Sequence, residues 1–358
     1  MQAVDNEMNI QDKNRKIKCV VWDLDNTLWK GVIIENKNVV LRDGIIDIIK
    51  VLDYRGILQS IASKNEYEFA LDKLKEFGLS EYFIYPQINW NAKSTSIKNI
   101  ARFININVDS IAFIDDQPFE REEVNSVLPE VLCIDVSGIH SLLDMPEMNP
   151  RFITEDAKMR RLMYQSDIER KKAEEIFAGA QEEFLASLGM VLTISPVGED
   201  DLKRAEELTV RTHQLNSTGY TYSFEELDSL RKSYNHKLFI AGLTDKYGAY
   251  GKIGIVLVEC KDDVWTIKLL LMSCRVISRG IGTVLINFIM SMAKDQNVHL
   301  QAEFVKSDRN RIMYITYKFA GFVEIESSGD YILLENDLAR LQSIPEYIKV
   351  DFEPFCIK

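Results

Sequence analysis

The feature that most constrains the fold is a short apolar run that ends in two acidic residues. Cys19–Trp22 reads as a buried strand, and Asp23 and Asp25 follow it directly. Because side chains alternate along an extended chain, both carboxylates would project from one side of the strand's carboxyl end. Such close negative charges repel unless a proton or cation lies between them, and Mg²⁺ prefers oxygen ligands. The stretch therefore predicts a metal and phosphate site, with a plain acidic loop as the alternative.

The first 150 residues alternate between predicted strands and helices. Further apolar runs predict strands at 57–62, 83–85, 110–114 and 131–134, a hairpin joining 32–35 to 39–41, and helices at 45–54, 66–77 and 94–104. This alternation is typical of a doubly wound parallel sheet, whose functional sites lie beyond the carboxyl ends of the strands. Ser63 follows the second predicted strand, and Asp115 and Asp116 follow the fourth. We therefore expect these side chains to converge with Asp23 and Asp25.

Together with Lys93, these residues resemble the four motifs of the haloacid dehalogenase (HAD) phosphohydrolase superfamily. The resemblance implies that Asp23 is the nucleophile that accepts a phosphoryl group, and that Asp25 is the general acid and base. A carboxylate nucleophile would divide hydrolysis into two easier steps, and a second carboxyl group would move the proton. Ser63 and Lys93 would bind the phosphoryl oxygens.

The same resemblance implies a complete magnesium site and a phosphate-binding loop. The implied metal ligands are Asp23, the Asp25 carbonyl, Asp115 and Asp116, and the loop residues that donate backbone N–H groups are Asn26 and Thr27. The short stretches between the motifs leave no room for the lid domain that many superfamily members carry. An open site suits a phosphate on something large or delivered by a partner domain, or a small enzyme that lacks a lid.

From residue 151 the character of the chain changes. Residues 151–188 are charged and helical in period, which indicates a connector between domains. Beyond 189 the sequence predicts a strand, a helix, a polar loop at 211–219 and a β-meander at 237–242, 251–259 and 264–272. Gly280 and Gly282 then open a helix, and glycines at such a turn allow backbone N–H groups to approach a pyrophosphate.

The glycine turn and the later Asn310, Tyr317 and Gly321 resemble the Gcn5-related N-acetyltransferase (GNAT) fold, an α+β domain. The residues that the resemblance implies for binding pantetheine or coenzyme A are Arg279, Gly280, Ile281, Gly282, Asn310 and Tyr317. Ile277 departs from the pattern, because an Arg or Gln usually stands three positions before the first glycine. Coenzyme A would then be held less tightly, or be replaced by the phosphopantetheine of a carrier protein.

The combination of both halves, over residues 18–337, resembles the FkbH-like family (HAD subfamily IIIC). That resemblance implies a phosphatase and acyltransferase that takes glyceryl from 1,3-bisphosphoglycerate, removes the phosphate and loads an acyl carrier protein. The family's enzyme-bound thioester points to Cys274, for which a buried structural cysteine is the alternative.

His213 is the candidate base for this thiol, although the family loop reads Arg-Thr-Asn-Gln and a surface histidine fits as well. Asn216 and Arg275 are candidates for orienting an acyl carbonyl or a phosphate. Two other functions stay open: a phosphatase whose second domain only docks coenzyme A or a carrier, and a phosphatase fused to a true N-acetyltransferase.

Composition indicates the expected class of protein and its expected location in the cell. The formal net charge of −12 argues against binding to nucleic acid, and no apolar stretch suits a membrane span or a signal peptide. Five cysteines without a CxxC pair indicate thiols, as in the cytoplasm. The predicted divisions are a tail at 1–17, a HAD-like domain at 18–150, the connector at 151–188, a GNAT-like domain at 189–340 and a tail at 341–358.

Overall fold

The computed structural model describes residues 16–36 and 38–352. The chain forms two compact units that divide between Gln165 and Ser166, within the stretch predicted to be a connector. We refer to them as the N-terminal unit and the C-terminal unit. Nearly all of the predicted tail at 1–17, and the last residues of the tail at 341–358, lie outside the described residues.

The N-terminal unit contains the predicted parallel sheet. Its strands are β1 (Cys19–Trp22), β4 (Leu58–Ser63), β5 (Gln87–Ile88), β6 (Ile111–Asp115) and β7 (Leu132–Asp135), and a separate hairpin pairs β2 (Trp29–Lys30) with β3 (Val40–Leu41). The strand order is β5-β4-β1-β6-β7, and all neighbours are parallel. Every residue of the central β1 is buried, as its unbroken apolar run predicts.

Helices cover the faces of this sheet. They are α1 (Ile45–Tyr54), α2 (Tyr67–Glu76), α3 (Lys93–Ile104) and α4 (Pro118–Val127). The apolar residues of α1 recur at helical spacing and are buried, and Gly56 follows its end with a φ of 69°. Between β1 and α3, the described residues include only the hairpin, α1, α2, β4, β5 and a 3₁₀ turn, so no large cap domain is present.

Two local predictions are wrong in this unit. The predicted strand at 83–85 is reduced to a single parallel bridge between Phe83 and Gln59 of β4. Tyr85 has a φ of 50° in the left-handed region, and β5 begins only at Gln87. The hairpin forms through Trp29 and Lys30 rather than through residues 32–35. The amides of Glu35 and Asn36 instead donate to the Val32 carbonyl in a turn.

The connecting stretch is helical, as predicted. Its helices are α5 (Glu155–Lys158), α6 (Arg160–Ile176) and α7 (Gln181–Ser187). Thr154 caps α5, because its hydroxyl oxygen accepts a hydrogen bond from the Ala157 amide at 3.0 Å. Among the described residues, no helix combines the length and the apolar character that crossing a membrane requires.

The C-terminal unit is built on one mixed sheet. Its strands are β8 (Met190–Pro196), β9 (His236–Asp245), β10 (Gly248–Lys261), β11 (Val264–Met272), β12 (His299–Val305), β13 (Val323–Ser328), β14 (Tyr331–Asn336) and β15 (Ile348–Phe352), in the order β13-β14-β12-β11-β10-β9-β8-β15. The parallel strands β11 and β12 pair only from Val264 to Ile267 and then separate.

Four further helices of this unit pack on both faces of the sheet. They are α8 (Leu202–Arg211), α9 (Phe224–Lys232), α10 (Ile281–Asp295) and α11 (Arg311–Phe319). Buried residues of α10 and α11 form one core with the sheet, and those of α8 and α9 form another. The predicted architecture, a doubly wound parallel sheet without a large cap followed by helices and an α+β domain, is confirmed.

Candidate functional site

Three charged side chains predicted from sequence meet at the carboxyl edge of the parallel sheet. Asp23 follows β1, Asp115 is the last residue of β6, and Lys93 is the first residue of α3; all three are buried. The Lys93 ammonium forms a close ion pair with Asp23 Oδ1 and lies 3.0 Å from Asp115 Oδ2. It also donates to the Ala62 carbonyl at 2.8 Å. The predicted convergence of Asp23, Lys93 and Asp115 is therefore present.

Burial and charge act against each other in this cluster. Burial raises the pKa of Asp23 to about 7, and the Asp115 carboxylate raises it as well, whereas Lys93 opposes both effects. Burial tends to lower the pKa of Lys93, but the two carboxylates outweigh it and the pKa is raised overall. Lys93 therefore stays charged and partly neutralises a site that holds more negative than positive charge.

The carboxylates fit a divalent cation. One oxygen from each of Asp23, Asp115 and Asp116 lies within 4.8 Å of the others. Asp115 Oδ2 is buried with the Lys93 ammonium 3.0 Å away, while its Oδ1 accepts the Gln117 amide at 2.8 Å. Burial and the neighbouring Asp115 raise the pKa of Asp116. Hard oxygen donors with excess negative charge are the ligands that Mg²⁺ prefers.

Asp25 is held apart from that cluster by three N–H donors. Its Oδ1 accepts the Trp29 indole at 2.7 Å and the Ile33 amide at 3.0 Å, and its Oδ2 accepts the Asn65 side-chain amide at 2.9 Å. No backbone amide among the described residues donates to the Asp25 carbonyl, and its role as a metal ligand stays a prediction. The sequence reasoning missed Trp29 and Asn65. The signal for Asn65 was its position two residues after Ser63, which places it at the same strand end.

Ser63 and Asn26 lie beside the cluster. Ser63 ends β4, is buried, and hydrogen-bonds to the Asp23 carboxylate, which lowers the pKa of that group. Asn26 has a φ of 52°, and its side-chain oxygen accepts the Gly31 amide at 3.0 Å. The Arg42 guanidinium donates to the Asn26 carbonyl, a contact that the sequence reasoning also missed. These contacts fix the loop that follows β1.

Thr27 ties the same loop to the end of β6. Its hydroxyl accepts the Asp116 amide at 3.0 Å and donates to Asp116 Oδ1 at 3.3 Å. The side chain is fully buried. The hydroxyl of Thr27 therefore positions a candidate metal ligand. Its amide donates to the Leu24 carbonyl at 3.2 Å, and that of Asn26 to the Gly31 carbonyl at 3.1 Å, so their role in phosphate binding stays a prediction.

The edge that carries the cluster also carries exposed aromatic side chains. Trp90, in the loop between β5 and α3, is 62% exposed, and Phe119, in the first turn of α4, is 71% exposed. Because no cap covers this edge, a large ligand has room to contact these exposed apolar side chains beside the carboxylates.

In the C-terminal unit, the glycine turn begins α10 as predicted. Gly280 caps the helix with a φ of 75°, and Ile281 and Gly282 form its first turn. Arg279 is buried, and one of its nitrogens lies 3.3 Å from Glu174 Oε2, but its Nε and Nη1 donate to no described group. A buried guanidinium with free N–H groups beside a helix N-terminus fits an anionic group such as a phosphate.

Asn310 and Tyr317 contact the chain itself. The Asn310 side-chain amide donates to the Asn216 carbonyl at 3.1 Å and to the Val305 carbonyl at 2.8 Å. Tyr317 is fully buried, and burial raises its pKa. Their predicted contacts with pantetheine stay predictions, because both side chains already pack within the chain.

The loop beside Asn310 fills the gap between the separating strands β11 and β12. The Ser217 amide donates to the Leu270 carbonyl at 3.0 Å, and the Met272 amide donates to the Leu215 carbonyl at 2.9 Å. Residues 215–217 thus pair with β11 where β12 no longer does. We call this segment the inserted loop.

The candidates for thioester chemistry are only partly exposed. Cys274 is a half-buried cysteine in a 3₁₀ turn after β11, and His213 is exposed. Arg275 donates to the Tyr250 carbonyl at 2.7 Å, which fixes the same turn. The thioester role of Cys274 and the base role of His213 stay predictions. Cys19 is buried within β1, as expected of a core cysteine.

No protein-family model and no curated protein matches the sequence. Among solved structures, the chain is similar to the N-terminal part of BF1531 from Bacteroides fragilis, described as containing a phosphatase domain and complexed with Mg. The identity is 28%, the match covers 46% of this chain and 42% of that chain, and the TM-score is 0.32. The matched part therefore spans less than half of that structure.

Two acetyltransferase structures are also similar to this chain. The ribosomal-protein-S18-alanine N-acetyltransferase from Escherichia coli is 18% identical over 40% of this chain and 92% of that one, with a TM-score of 0.34. Spermidine N-acetyltransferase from Vibrio cholerae, in complex with CoA and spermine, is 17% identical over 40% and 92%, with a TM-score of 0.31.

Proposed function

We propose that this protein is a Mg²⁺-dependent phosphatase and acyltransferase. It takes a glyceryl unit from 1,3-bisphosphoglycerate, removes the remaining phosphate and loads glyceryl onto an acyl carrier protein as a thioester. The observation that supports it most is the cluster at the sheet edge, where Lys93 pairs with both Asp23 and Asp115 and three carboxylates lie within 4.8 Å. The glyceryl unit and the carrier come from the FkbH-like resemblance.

In the phosphatase reaction, a carboxylate oxygen of Asp23 attacks phosphorus while the bond to the leaving oxygen breaks. Asp25 donates a proton to that oxygen, then takes a proton from the water that hydrolyses the phosphoaspartate, and phosphate leaves. Trp29 and Asn65 orient Asp25 for both transfers. Lys93 balances negative charge on Asp23 and the phosphoryl group. Asp23, Asp115, Asp116 and the Asp25 carbonyl would hold Mg²⁺, which would neutralise negative charge on the phosphoryl oxygens.

In the transfer reaction, the Cys274 thiolate attacks the acyl carbon of the acyl phosphate. The bond from that carbon to the phosphate oxygen breaks, phosphate leaves, and a thioester forms. The phosphopantetheine thiol of the carrier then displaces Cys274. Arg279 and the N-terminus of α10 would bind the phosphate of the pantetheine arm.

Intact-protein mass spectrometry tests this function. The protein is incubated with Mg²⁺, 1,3-bisphosphoglycerate and holo carrier protein, and we expect a glyceryl adduct on the carrier. Asp23→Asn should stop release of the second phosphate, and Cys274→Ala should stop loading. Asp72→Asn, at an exposed site on α2, is the matched control. Release of that phosphate by Asp23→Asn at the wild-type rate would falsify the phosphatase role.

One observation favours a second function, a phosphatase whose C-terminal unit docks a carrier or coenzyme A without transferring an acyl group. The inserted loop occupies the gap between β11 and β12, and Asn310 holds it there. This version predicts phosphate release from a small phosphoester with no thiol present and no acyl adduct on the carrier. The same mass spectrum distinguishes the two.

A further inference from the structure

A cavity of about 590 Å³ lies in the C-terminal unit, and no residue of the glycine turn lines it. It opens on the face of the sheet that carries α9, and residues of β11, β12, β14 and α9 line it together with the chain that follows the inserted loop. Its volume falls within the usual range for small-molecule sites. None of the residues that line it belongs to the site predicted from sequence.

The floor of the cavity is a charge-balanced pair with a third polar partner. Lys268 on β11 and Glu303 on β12 directly follow the last paired residues of these strands and form a close ion pair. The Tyr331 hydroxyl donates to Glu303 Oε1 at 3.4 Å. Because the strands separate here, both charged groups face the cavity and remain partly exposed.

Tyrosine side chains form the wall. The rings of Tyr220 and Tyr222 pack edge to face with centroids 4.5 Å apart, and the Tyr220 hydroxyl donates to Glu226 at 2.9 Å. Burial, with the nearby Glu303 carboxylate, raises the pKa of Tyr222 to about 12, so its phenol stays protonated. Among the described residues, no group hydrogen-bonds to that phenol, which leaves it able to donate to a ligand.

This lining offers no unpaired charge to a charged ligand. The Lys268 ammonium is paired with Glu303, and the Glu226 carboxylate accepts from the Tyr220 hydroxyl and the Ser223 amide. A purely apolar group would displace water from the ion pair without replacing its hydrogen bonds. Hydroxyl groups satisfy every partner, because they donate to Glu303 and accept from Lys268 and Tyr222. Aromatic rings offer apolar contact to the carbon chain between them.

We propose that this cavity binds a short, uncharged carbon chain that carries adjacent hydroxyl groups, either as a free polyol or as a hydroxylated acyl group. The inference deepens the proposed function, on which it rests for the identity of the acyl group, since a glyceryl unit belongs to this class. Glu303 and Lys268 recognise the hydroxyls, and Tyr222 donates the third hydrogen bond.

Saturation-transfer NMR on the full chain, without Mg²⁺ or phosphorylated substrate, tests the site. The probes are methyl glycerate, glycerol, methyl propionate, glycerate and 1,3-diaminopropane. We expect methyl glycerate to bind at least about 10-fold more tightly than methyl propionate, the diamine or the anion, because unpaired polar groups penalise the others. Glycerol binding as tightly as methyl glycerate would identify a free polyol as the ligand, and weaker binding would identify the acyl group.

Variants locate the binding. Glu303→Gln and Tyr222→Phe should each weaken methyl glycerate binding by about 5- to 30-fold. Tyr234→Phe, at a fully exposed tyrosine, should leave it unchanged. If Glu303→Gln does not fold, Tyr331→Phe tests the same floor. Unchanged binding in both the floor and the Tyr222 variants, or preferred binding of the diamine, would overturn the site. Asp23→Asn, which should stop release of the second phosphate, should still bind the probes, so a failed phosphatase assay and a failed cavity are distinguishable.

Discussion

The buried polar groups of the two units differ in their ion-pair and hydrogen-bond partners. At the carboxyl edge of the N-terminal sheet, Asp23 and Asp115 share one buried ammonium, and the nearby Asp116 adds a third carboxylate to the cluster. In the C-terminal unit, the Asn310 amide is fully used by two backbone carbonyls. Buried charge that the protein does not balance favours binding of a ligand, whereas an amide whose N–H groups are all hydrogen-bonded stabilises the fold. The first kind of polar residue is therefore the stronger indicator of a site.

The substitution with the largest expected effect on this difference is Lys93→Met. Without the ammonium, two buried carboxylates face each other, so we expect phosphatase kcat to fall by about 10³-fold. Without Mg²⁺, the free energy of unfolding should fall by about 3 kcal/mol, and Mg²⁺ should restore part of it. Phosphate release and urea unfolding with and without Mg²⁺ measure both effects. Lys98→Met, exposed on the same helix, is the control. Equal unfolding curves for the two variants would remove the contrast between the units.

Next in size is Asn65→Ala, which frees one oxygen of Asp25 and also removes a 3.4 Å hydrogen bond to the Ser63 hydroxyl. We expect kcat for an alkyl phosphate to fall by about 10- to 100-fold, because the general acid is no longer oriented. The phosphorylation step with an aryl phosphate, whose leaving group needs little protonation, should fall much less. Burst kinetics separate the two steps, and Asn125→Ala, exposed on α4, is the control. An equal loss with both leaving groups would indicate a merely structural role for Asn65.

A smaller effect is expected from Asn310→Ala. Two buried carbonyls would lose their donor, so the free energy of unfolding of the C-terminal unit should fall by about 2 kcal/mol. The phosphatase activity should not change. Urea unfolding followed by a C-terminal-unit probe measures this, with Asn235→Ala as the surface control. If stability is unchanged while binding of coenzyme A is lost, Asn310 acts as a ligand contact, and the contrast drawn above fails.

The smallest effect concerns the glycine turn. Gly280→Ala should destabilise the protein by about 1 to 2 kcal/mol, because the residue has a positive φ and its Cβ would lie 2.9 Å from Tyr347 Oη. Gly189→Ala shares the positive φ but meets no atom within 4 Å, so it isolates the backbone contribution. The unfolding temperatures of the two variants should differ only by the effect of the contact with Tyr347. Equal shifts in unfolding temperature would show that the Tyr347 side chain moves aside without a measurable cost.

The N-terminal fold was largely predictable because its signals are local. An apolar run such as Cys19–Trp22 predicts a buried strand, and parallel strands present their carboxyl ends at one edge. The strand predicted at 83–85 is reduced to a single bridge, and the left-handed backbone of Tyr85 is an equally local feature. No residue type in that stretch signals such a turn, since tyrosine rarely adopts a positive φ.

The sequence by itself determined which groups meet at the edge of the parallel sheet. Strand alternation and strand ends place Asp23, Ser63 and Asp115 there whatever the rest of the chain does. Only the tertiary structure decided which partners hold Asp25, that Asn310 fastens the inserted loop, and that Lys268 and Glu303 form the floor of a cavity. Those contacts join residues far apart in the chain, through side-chain directions and strand separation that no local pattern encodes.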